Sequence, residues 1–331
     1  MKGEEFEVSL DIIIPIYNAK ATIRRTLYSI ATQRNICDFC VYLINDCSDY
    51  DYSDEVSLFS TFYDIKELKM KKNGGPGLAR QYGIDNSTGN YIVFIDADDY
   101  FYSPFALSQL YNSINKKYDL VISNFLYKRD NQTLVKKNNW IWLHGKIYSR
   151  KFLEKNNIRF NNSRENEDNG FNRLIMFYNP KYLILDSLTY EYSENPNSIT
   201  RKNNREYRLS GLKGFIFNMN WAIEEGIIRK LDKTSIYNTI MSVFASMYYY
   251  YLELYNNYDV SKIIEWTSST KLLYDRNFNR ELNEKSMKMY LKIKEDEYKT
   301  NNIKIIKHIT FLEFLEKIEE FNYDRYNNTS I

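Results

Sequence analysis

Three aspartates in one short turn, Asp96, Asp98 and Asp99, are the residues whose spacing most directly allows chemistry. Carboxylates separated by one residue at a strand end can converge, while Ala97 between them turns away. A hard divalent cation, Mg2+ or Mn2+, takes such oxygen ligands and keeps positions for phosphate oxygens. Such an ion would stabilise charge growing on a departing phosphate or diphosphate. The competing interpretation is an acidic, solvated turn, because aspartate favours turns generally. The apolar run at 91–95 just before it argues for a defined crevice at the end of a buried strand.

Other groups could join that crevice. Asn73-Gly74-Gly75-Pro76-Gly77 lacks the GK[ST] ending of a triphosphate loop, and its glycines do not match GxGxxG. They allow a tight turn and close approach of backbone to a ligand. Arg80, on the first turn of the helix that follows, could reach a phosphate or a base; an ordinary solvent-facing arginine is the alternative. Asp46 and Asp49 follow a second apolar run, where a carboxylate can accept from a base N–H or ribose hydroxyl and where helix capping competes. Glu167 and Asp168 precede another helical stretch. A carboxylate in an acceptor cleft could deprotonate an attacking hydroxyl, and Asp168 could equally be a helix cap. His144 and Gly145-Lys146, preceded by Trp140 and Trp142, could line an acceptor pocket, with buried packing as the default. Cys37 and Cys40 have CxxC spacing but no second pair, and both histidines lie far off. They read as reduced thiols together with Cys47.

The elements that must position these groups alternate. Residues 9–16 form a nearly unbroken apolar strand, suited to a centre covered on both faces. A helix follows at 22–32, with Ile23, Leu27 and Ile30 on one side. Strands are expected at 39–44, 65–70, 91–95, 119–125 and 183–188, and helices at 78–84, 149–156 and 171–177. This order predicts a doubly wound α/β fold with a mostly parallel sheet. In such sheets ligands bind beyond the carboxyl ends of the strands, and the clusters at 45–49, 73–77 and 96–99 all fall there. From about residue 206 the pattern turns helical, at 209–227, 235–255, 260–273, 283–293 and 310–321. Thr310 is the expected N-cap of the last helix, and 322–331 reads as a polar tail.

A chain of 331 residues suits one large domain with a smaller appendage. We divide it into a catalytic domain at 1–205, with a nucleotide half at 1–99 and an acceptor half at 100–205, and a helical extension at 206–331. A net charge of +2 offers no broad field for nucleic acid, so no such partner is expected. No apolar stretch approaches the ~20 residues of a membrane span, and the N-terminus lacks the signal-peptide pattern. Among the 31 tyrosines, 248–251 form a run inside a probable helix, where four cannot share one face.

As a set, these groups resemble family 2 glycosyltransferases of the GT-A fold. DIIIPIYNAKATIRRTLYSI resembles the family's opening strand and helix, and NDCSD stands where its acidic nucleotide motif stands. NGGPGLARQYG is similar to the NxGxxxARNxG element, and IVFIDADD resembles the strand carrying the DxD signature. The likeness is ordered over 9–99. It continues more weakly through HGKIYSR, the Glu167-Asp168 pair and 192–200. Asn45 replaces the first aspartate of the acidic motif, and Gln81 replaces the usual asparagine.

The resemblance implies a donor site of Pro15, Tyr17, Asp46, Asn73, Gly74, Arg80, Asp96, Ala97 and Asp98. In it Asp46 would contact the base, Arg80 would help hold the nucleotide, Asp98 would bind Mn2+ or Mg2+, and Asp168 would be the general base. The expected reaction is inverting transfer of a hexose or N-acetylhexosamine from a UDP-sugar to a glycan, lipid-linked glycan or protein hydroxyl, in bacterial surface glycan synthesis. The alternatives are a sugar nucleotidyltransferase and a noncatalytic nucleotide-sugar or glycan-binding protein. The expected location is cytoplasmic; peripheral contact at the inner face of the cell membrane and homo-oligomer formation are left open.

Overall fold

The computed structural model describes residues 9–36, 38–114, 117–129, 132–193, 205–253, 257–278, 284–301, 303–306 and 308–328. Cys37, the end of the 192–200 segment and residues 329–331 lie outside them.

Strand β1 (Leu10–Ile16) is buried at every residue but Pro15, as its unbroken apolar sequence requires. Helix α1 (Ile23–Ala31) buries Ile23, Leu27 and Ile30, one stripe at helical spacing. Then come β2 (Phe39–Asn45), α2 (Ser53–Phe59), β3 (Asp64–Lys69), α3 (Pro76–Asp85) and β4 (Tyr91–Phe94). These four strands are parallel, in the order β3-β2-β1-β4. Ile16 pairs with Asn45, and Asn45 with Lys69, so their carboxyl ends share one edge.

The remaining sheet is mixed. It adds β5 (Tyr100–Phe101), then helix α4 (Ala106–Ile114), β6 (Leu120–Arg129), β7 (Gln132–Lys136) and β8 (Lys146–Ser149). Helices α5 (Arg150–Lys155) and α6 (Glu167–Phe177) lead to β9 (Tyr182–Tyr192). Strand β8 is antiparallel to both β4 and β6, β7 is antiparallel to β6, and β6 runs parallel to β9. The expected mostly parallel sheet is thus borne out, with the antiparallel pairings falling on strands of the second half. Five elements were not anticipated: α2, α4, β5, β7 and β8. Most are short; β8 has four residues opening on a lysine, so neither alternation nor an apolar run marks it.

A second compact unit, residues 203–331 with 176–178, is separate from the first, residues 1–175 with 179–202. It holds α7 (Arg205–Ile228), α8 (Lys233–Glu253), α9 (Asn257–Asn277), α10 (Glu284–Thr300) and α11 (Phe311–Asn328). Its core joins Leu212, Ile216, Met247, Ile263, Phe314 and Ile318. Thr310 caps α11 as expected, in a reciprocal box. Its hydroxyl accepts from the Glu313 N–H (3.2 Å), and the Glu313 carboxylate accepts from the Thr310 N–H (2.6 Å). The expected polar tail is instead helical through Asn328. The tyrosine run is packing: Tyr249 and Tyr251 are buried, and the Tyr248 hydroxyl donates to the Ile309 carbonyl (2.6 Å).

Beneath the opposite edge of the first sheet, buried Arg150 fastens three segments. Its Nη2 donates to Asp11 (2.8 Å) and the Ser87 hydroxyl (2.6 Å), Nη1 to the Ile84 carbonyl (2.7 Å) and Nε to the Gly89 carbonyl (2.5 Å). A side chain at Gly89 would meet the Asp11 carboxylate at 2.7 Å, which explains the glycine. Removing one partner of a buried pair strands the other charge. Arg150→Ala should therefore lose about 3–5 kcal/mol of stability in urea unfolding, a magnitude typical of broken buried pairs.

Candidate active site

At the shared edge, the chain leaving β1 meets the chain leaving β2. The Asp46 N–H donates to the Ile16 carbonyl (2.9 Å), and the Asn18 N–H donates to the Ser48 hydroxyl (3.0 Å). Tyr17, beside half-buried Pro15, is exposed. Asn45 turns inward, donating to Glu67 (2.7 Å) and accepting from the Ser48 N–H (2.8 Å). A cleft of about 340 Å³ opens beyond the ends of β2 and β3, lined by Asn45, Cys47, Ser48, Asp49, Lys69 and Met70, among others. A larger cleft of about 460 Å³ around Tyr102, Asn124 and Asp186 contains no predicted site residue.

Asp46 is buried, and its carboxylate accepts the N–H groups of Gly74 (2.6 Å) and Gly75 (2.8 Å). The Asn73 amide donates to the Asp46 carbonyl (2.9 Å). Asp46 therefore shapes the glycine loop with charge-assisted bonds. Gly75 has φ +83°, a conformation that glycine adopts without strain, and Pro76 then starts α3 at the position proline favours. Arg164 covers the loop, donating to the Asn73 side chain (2.7 Å) and carbonyl (3.0 Å).

The acidic turn is held from two sides. The Thr26 hydroxyl donates to the carbonyls of Ala97 (3.0 Å) and Asp99 (2.7 Å), and Arg25 donates to that of Asp98. Asp99 is buried and accepts from the Tyr190 hydroxyl (2.6 Å) and the Ser193 N–H (2.7 Å). Burial and then the charges of Asp96 and Asp98 raise its pKa well above the carboxylate range. Asp96 is half-buried; against the cost of burial, Arg80 and His144 hold its pKa below that range. His144 lies flat on Tyr190 (4.6 Å between rings), and burial lowers its pKa, favouring the neutral imidazole.

Asp96, Asp99 and His144 offer ligand atoms within 4.8 Å of one another, the one such trio among the described residues. Carboxylate oxygens with a neutral imidazole form a donor set suited to an ion such as Mn2+. The Nε2 of His144 faces the carboxylates of Asp96 (3.6 Å) and Asp99 (3.9 Å), while its buried Nδ1 has no hydrogen-bond partner among the described residues. Asp98, the expected metal ligand, sits half-buried in the same turn, outside the trio.

Arg80 joins this turn to α6. It is 5% exposed, with Nη2 2.6 Å from Asp96 and Nη1 2.6 Å from Glu167. Both terminal nitrogens thus meet carboxylates of the chain. Helix α6 starts at Glu167, so Asp168 lies inside the first turn and is not its cap. The Oδ1 of Asp168 accepts from the Asn169 N–H (2.8 Å), and no described donor reaches Oδ2. Burial, then the charge of Glu167, pushes its pKa up to about 7. Lys146 on β8 is fully enclosed and donates to the Trp142 carbonyl; burial lowers its pKa to about 7, with Asp168 as the opposing charge.

Trp142 stands beside His144 (5.8 Å) and stacks on Tyr127 (5.6 Å), which stacks on Tyr192 (5.0 Å). Trp140 instead packs edge-on against Tyr182 (4.6 Å). Tyr190, Ser193, Arg25, Thr26 and Arg164 escaped sequence reasoning because nothing in their local sequence separates them from ordinary packing residues.

Residues 11–171 match the family model described as Glycosyl transferase family 2. The uncharacterized glycosyltransferase EpsJ of Bacillus subtilis is 28% identical over 218 residues, covering 58% of this chain and 62% of EpsJ. The chain spans less than two thirds of the length of the curated relatives most like it. Among solved structures, Staphylococcus aureus TarS 1-349 in complex with UDP-GlcNAc superposes with a TM-score of 0.64 at 16% identity, over 88% of this chain and 92% of that one. The mannosyltransferase PcManGT from Pyrobaculum calidifontis, in complex with GDP-Man and Mn2+, gives 0.53 at 13% identity, over 95% and 86%. At these identities the structures testify to fold. With the motifs of the strand ends, the family match identifies residues 11–171, just under half of the chain, as a glycosyl transferase family 2 region on a GT-A-type fold.

Proposed function

We propose that the chain is an inverting, metal-dependent glycosyltransferase that moves a hexose or N-acetylhexosamine from a UDP-sugar to a hydroxyl acceptor in bacterial surface glycan synthesis. The observation that carries this reading is the Arg80 bridge. It ties an acidic strand-end turn to the first turn of the helix that carries a carboxylate with an open oxygen. The complex of TarS with UDP-GlcNAc supports a UDP-linked donor, and the Mn2+ in the PcManGT complex supports the metal.

In this reading the nucleoside lies over the β1 and β2 ends, with Pro15, Tyr17 and Asp46 around the base. Asn73 and Gly74 present the loop to the diphosphate. Asp98, assisted by Asp96 and the neighbouring Asp99–His144 pair, would hold Mn2+ or Mg2+, whose chemistry is to neutralise charge on the leaving diphosphate, and Ala97 would lie beside the donor. Asp168 takes the acceptor hydroxyl proton through Oδ2. The acceptor oxygen attacks the anomeric carbon as the bond to the diphosphate breaks on the opposite face. UDP departs with that electron pair, and the configuration inverts. Trp142 and Tyr192 offer apolar faces for an acceptor sugar. Among the described residues no helix is long and apolar enough to cross a membrane. The proposed setting is the cytoplasmic side, with peripheral membrane contact when the acceptor is lipid-linked.

Calorimetry over a nucleotide-sugar panel should show one UDP-sugar binding with Mn2+ and losing that binding with chelator. Failure of every UDP-sugar to bind the folded, metal-loaded protein would remove the donor assignment. Asp98→Ala should abolish metal-dependent turnover while keeping the fold; wild-type transfer by that variant would remove Asp98 as ligand.

The pH profile tests the base. Asp168 acts deprotonated and its pKa lies at about 7, so kcat/KM should rise with pH through that value and level off above it. Asp168→Asn should lose about 10²–10⁴-fold in kcat, the usual contribution of a general base. Undiminished turnover in that variant would dismiss the assignment.

A further inference from the structure

We propose that Glu167 is a positioning residue for the transfer: through Arg80 it fixes the first turn of α6, and Asp168 with it, against the Asp96 turn. The inference rests on the reading of Asp168 as the base.

Glu167 and Asp168 are neighbours with opposite fates. Glu167 is buried, with Oε1 2.6 Å from the Nη1 of Arg80, so it is engaged in an ion pair and poorly placed to take a proton from an acceptor. Asp168 keeps Oδ2 clear of described donors. The planar guanidinium presents its two terminal nitrogens in a rigid fork. With Nη2 on Asp96 and Nη1 on Glu167, the spacing between the donor-side turn and α6 is set by one conjugated group.

A second contact holds the same side chain. A Cβ at Gly77, on the first turn of α3, would lie 2.9 Å from Cγ and 3.1 Å from Cβ of Glu167. Only glycine lets α3 approach that closely. The strut and the close approach act on the same residue from the same helix. Buried ion pairs are weak contributors to stability, and apolar replacements often do as well. A geometric role therefore accounts for this pair better than a purely stabilising one.

The charge of Glu167 also bears on the base. Asp168 faces Arg80 from α3, Asp96 from the acidic turn, and Lys146 and Tyr148 from β8, besides Glu167 on its own helix. After burial, Glu167 is the largest influence raising the pKa of Asp168, and Arg80 lowers it. Removing the Glu167 charge should therefore make Asp168 more acidic. That titration reports the charge of Glu167, whereas kcat on the plateau, where Asp168 is fully ionised, reports its positioning.

The test compares three variants in the full chain with Mn2+, the UDP-sugar that binds and its acceptor. Glu167→Gln keeps an acceptor for Arg80 and removes the charge. Its acidic limb in kcat/KM should move down by about half a pH unit or more. Its plateau kcat should fall about tenfold or more, since small misplacement of reacting groups is costly. UDP-sugar affinity should stay within about threefold, because the strut acts on the base side. Gly77→Ala keeps the charge and displaces the side chain, so kcat should fall while the acidic limb stays at the wild-type pH. A folded Glu167→Gln protein with wild-type plateau and limb overturns the proposal. If that variant does not fold, wild-type kcat in Gly77→Ala overturns it instead. Asp168→Asn, run in parallel, separates the two readings. Retained turnover there defeats the base assignment itself, whereas its inactivity beside a wild-type Glu167→Gln profile defeats only the role of Glu167.

Discussion

Arg80 is a cation almost without access to water, and that placement governs how the site is organised. A guanidinium cannot shed its proton to escape burial, so it demands counter-charge. Asp96 and Glu167 supply it, one from the end of a parallel strand and one from a helix 87 residues beyond Arg80. Removing either carboxylate would leave an uncompensated charge inside the protein, so the ion pairs constrain the fold and the site together. The same arrangement leaves Asp168, one residue from Glu167, as the carboxylate with an oxygen still open.

Around this bridge, neighbouring contacts hold the predicted site turns in place. Asp46 organises the glycine loop by accepting two of its N–H groups, and Arg164 closes over that loop from the far side. The turn at 96–99 is held by Thr26 and Arg25 through its carbonyls, and by Tyr190 and Ser193 through Asp99. Asp99 extends the apparent acidic cluster, yet its two oxygens already tie the turn to the end of β9. A motif of three nearby aspartates therefore contains groups in three different environments: paired, half-exposed and internally bonded. Their pKa directions diverge accordingly, down for Asp96 and well up for Asp99.

The division between parallel and antiparallel strands has a functional counterpart. The parallel strands bring the polar clusters we propose for the donor to one edge, where strand-end sites in α/β sheets lie. Strand β8, running antiparallel between β4 and β6, brings His144 to the acidic turn just before it begins and sets Lys146 within electrostatic reach of Asp168. The stacked Tyr127, Trp142 and Tyr192 stand on the same side as His144.

What the sequence determined by itself was the parallel half of the sheet. Long apolar runs ending in polar clusters identify β1, β2 and β4 and the turns that follow them, because burial on both faces leaves a continuous local signature. Gly75 and Pro76 likewise announce a turn and a helix start through backbone constraints carried by single residues. The C-terminal helices were legible for the same local reason, although the helix ending at Asn328 outran its apolar pattern. Tertiary structure alone decided the rest. Strand β8 was invisible because four residues carry no periodicity. Arg80 read as a ligand-facing cation because its partners are remote in sequence, and Glu167 could not be told from Asp168. Charge pairing across distant segments depends on three-dimensional proximity and burial, and neither leaves a mark in the spacing of residues along the chain.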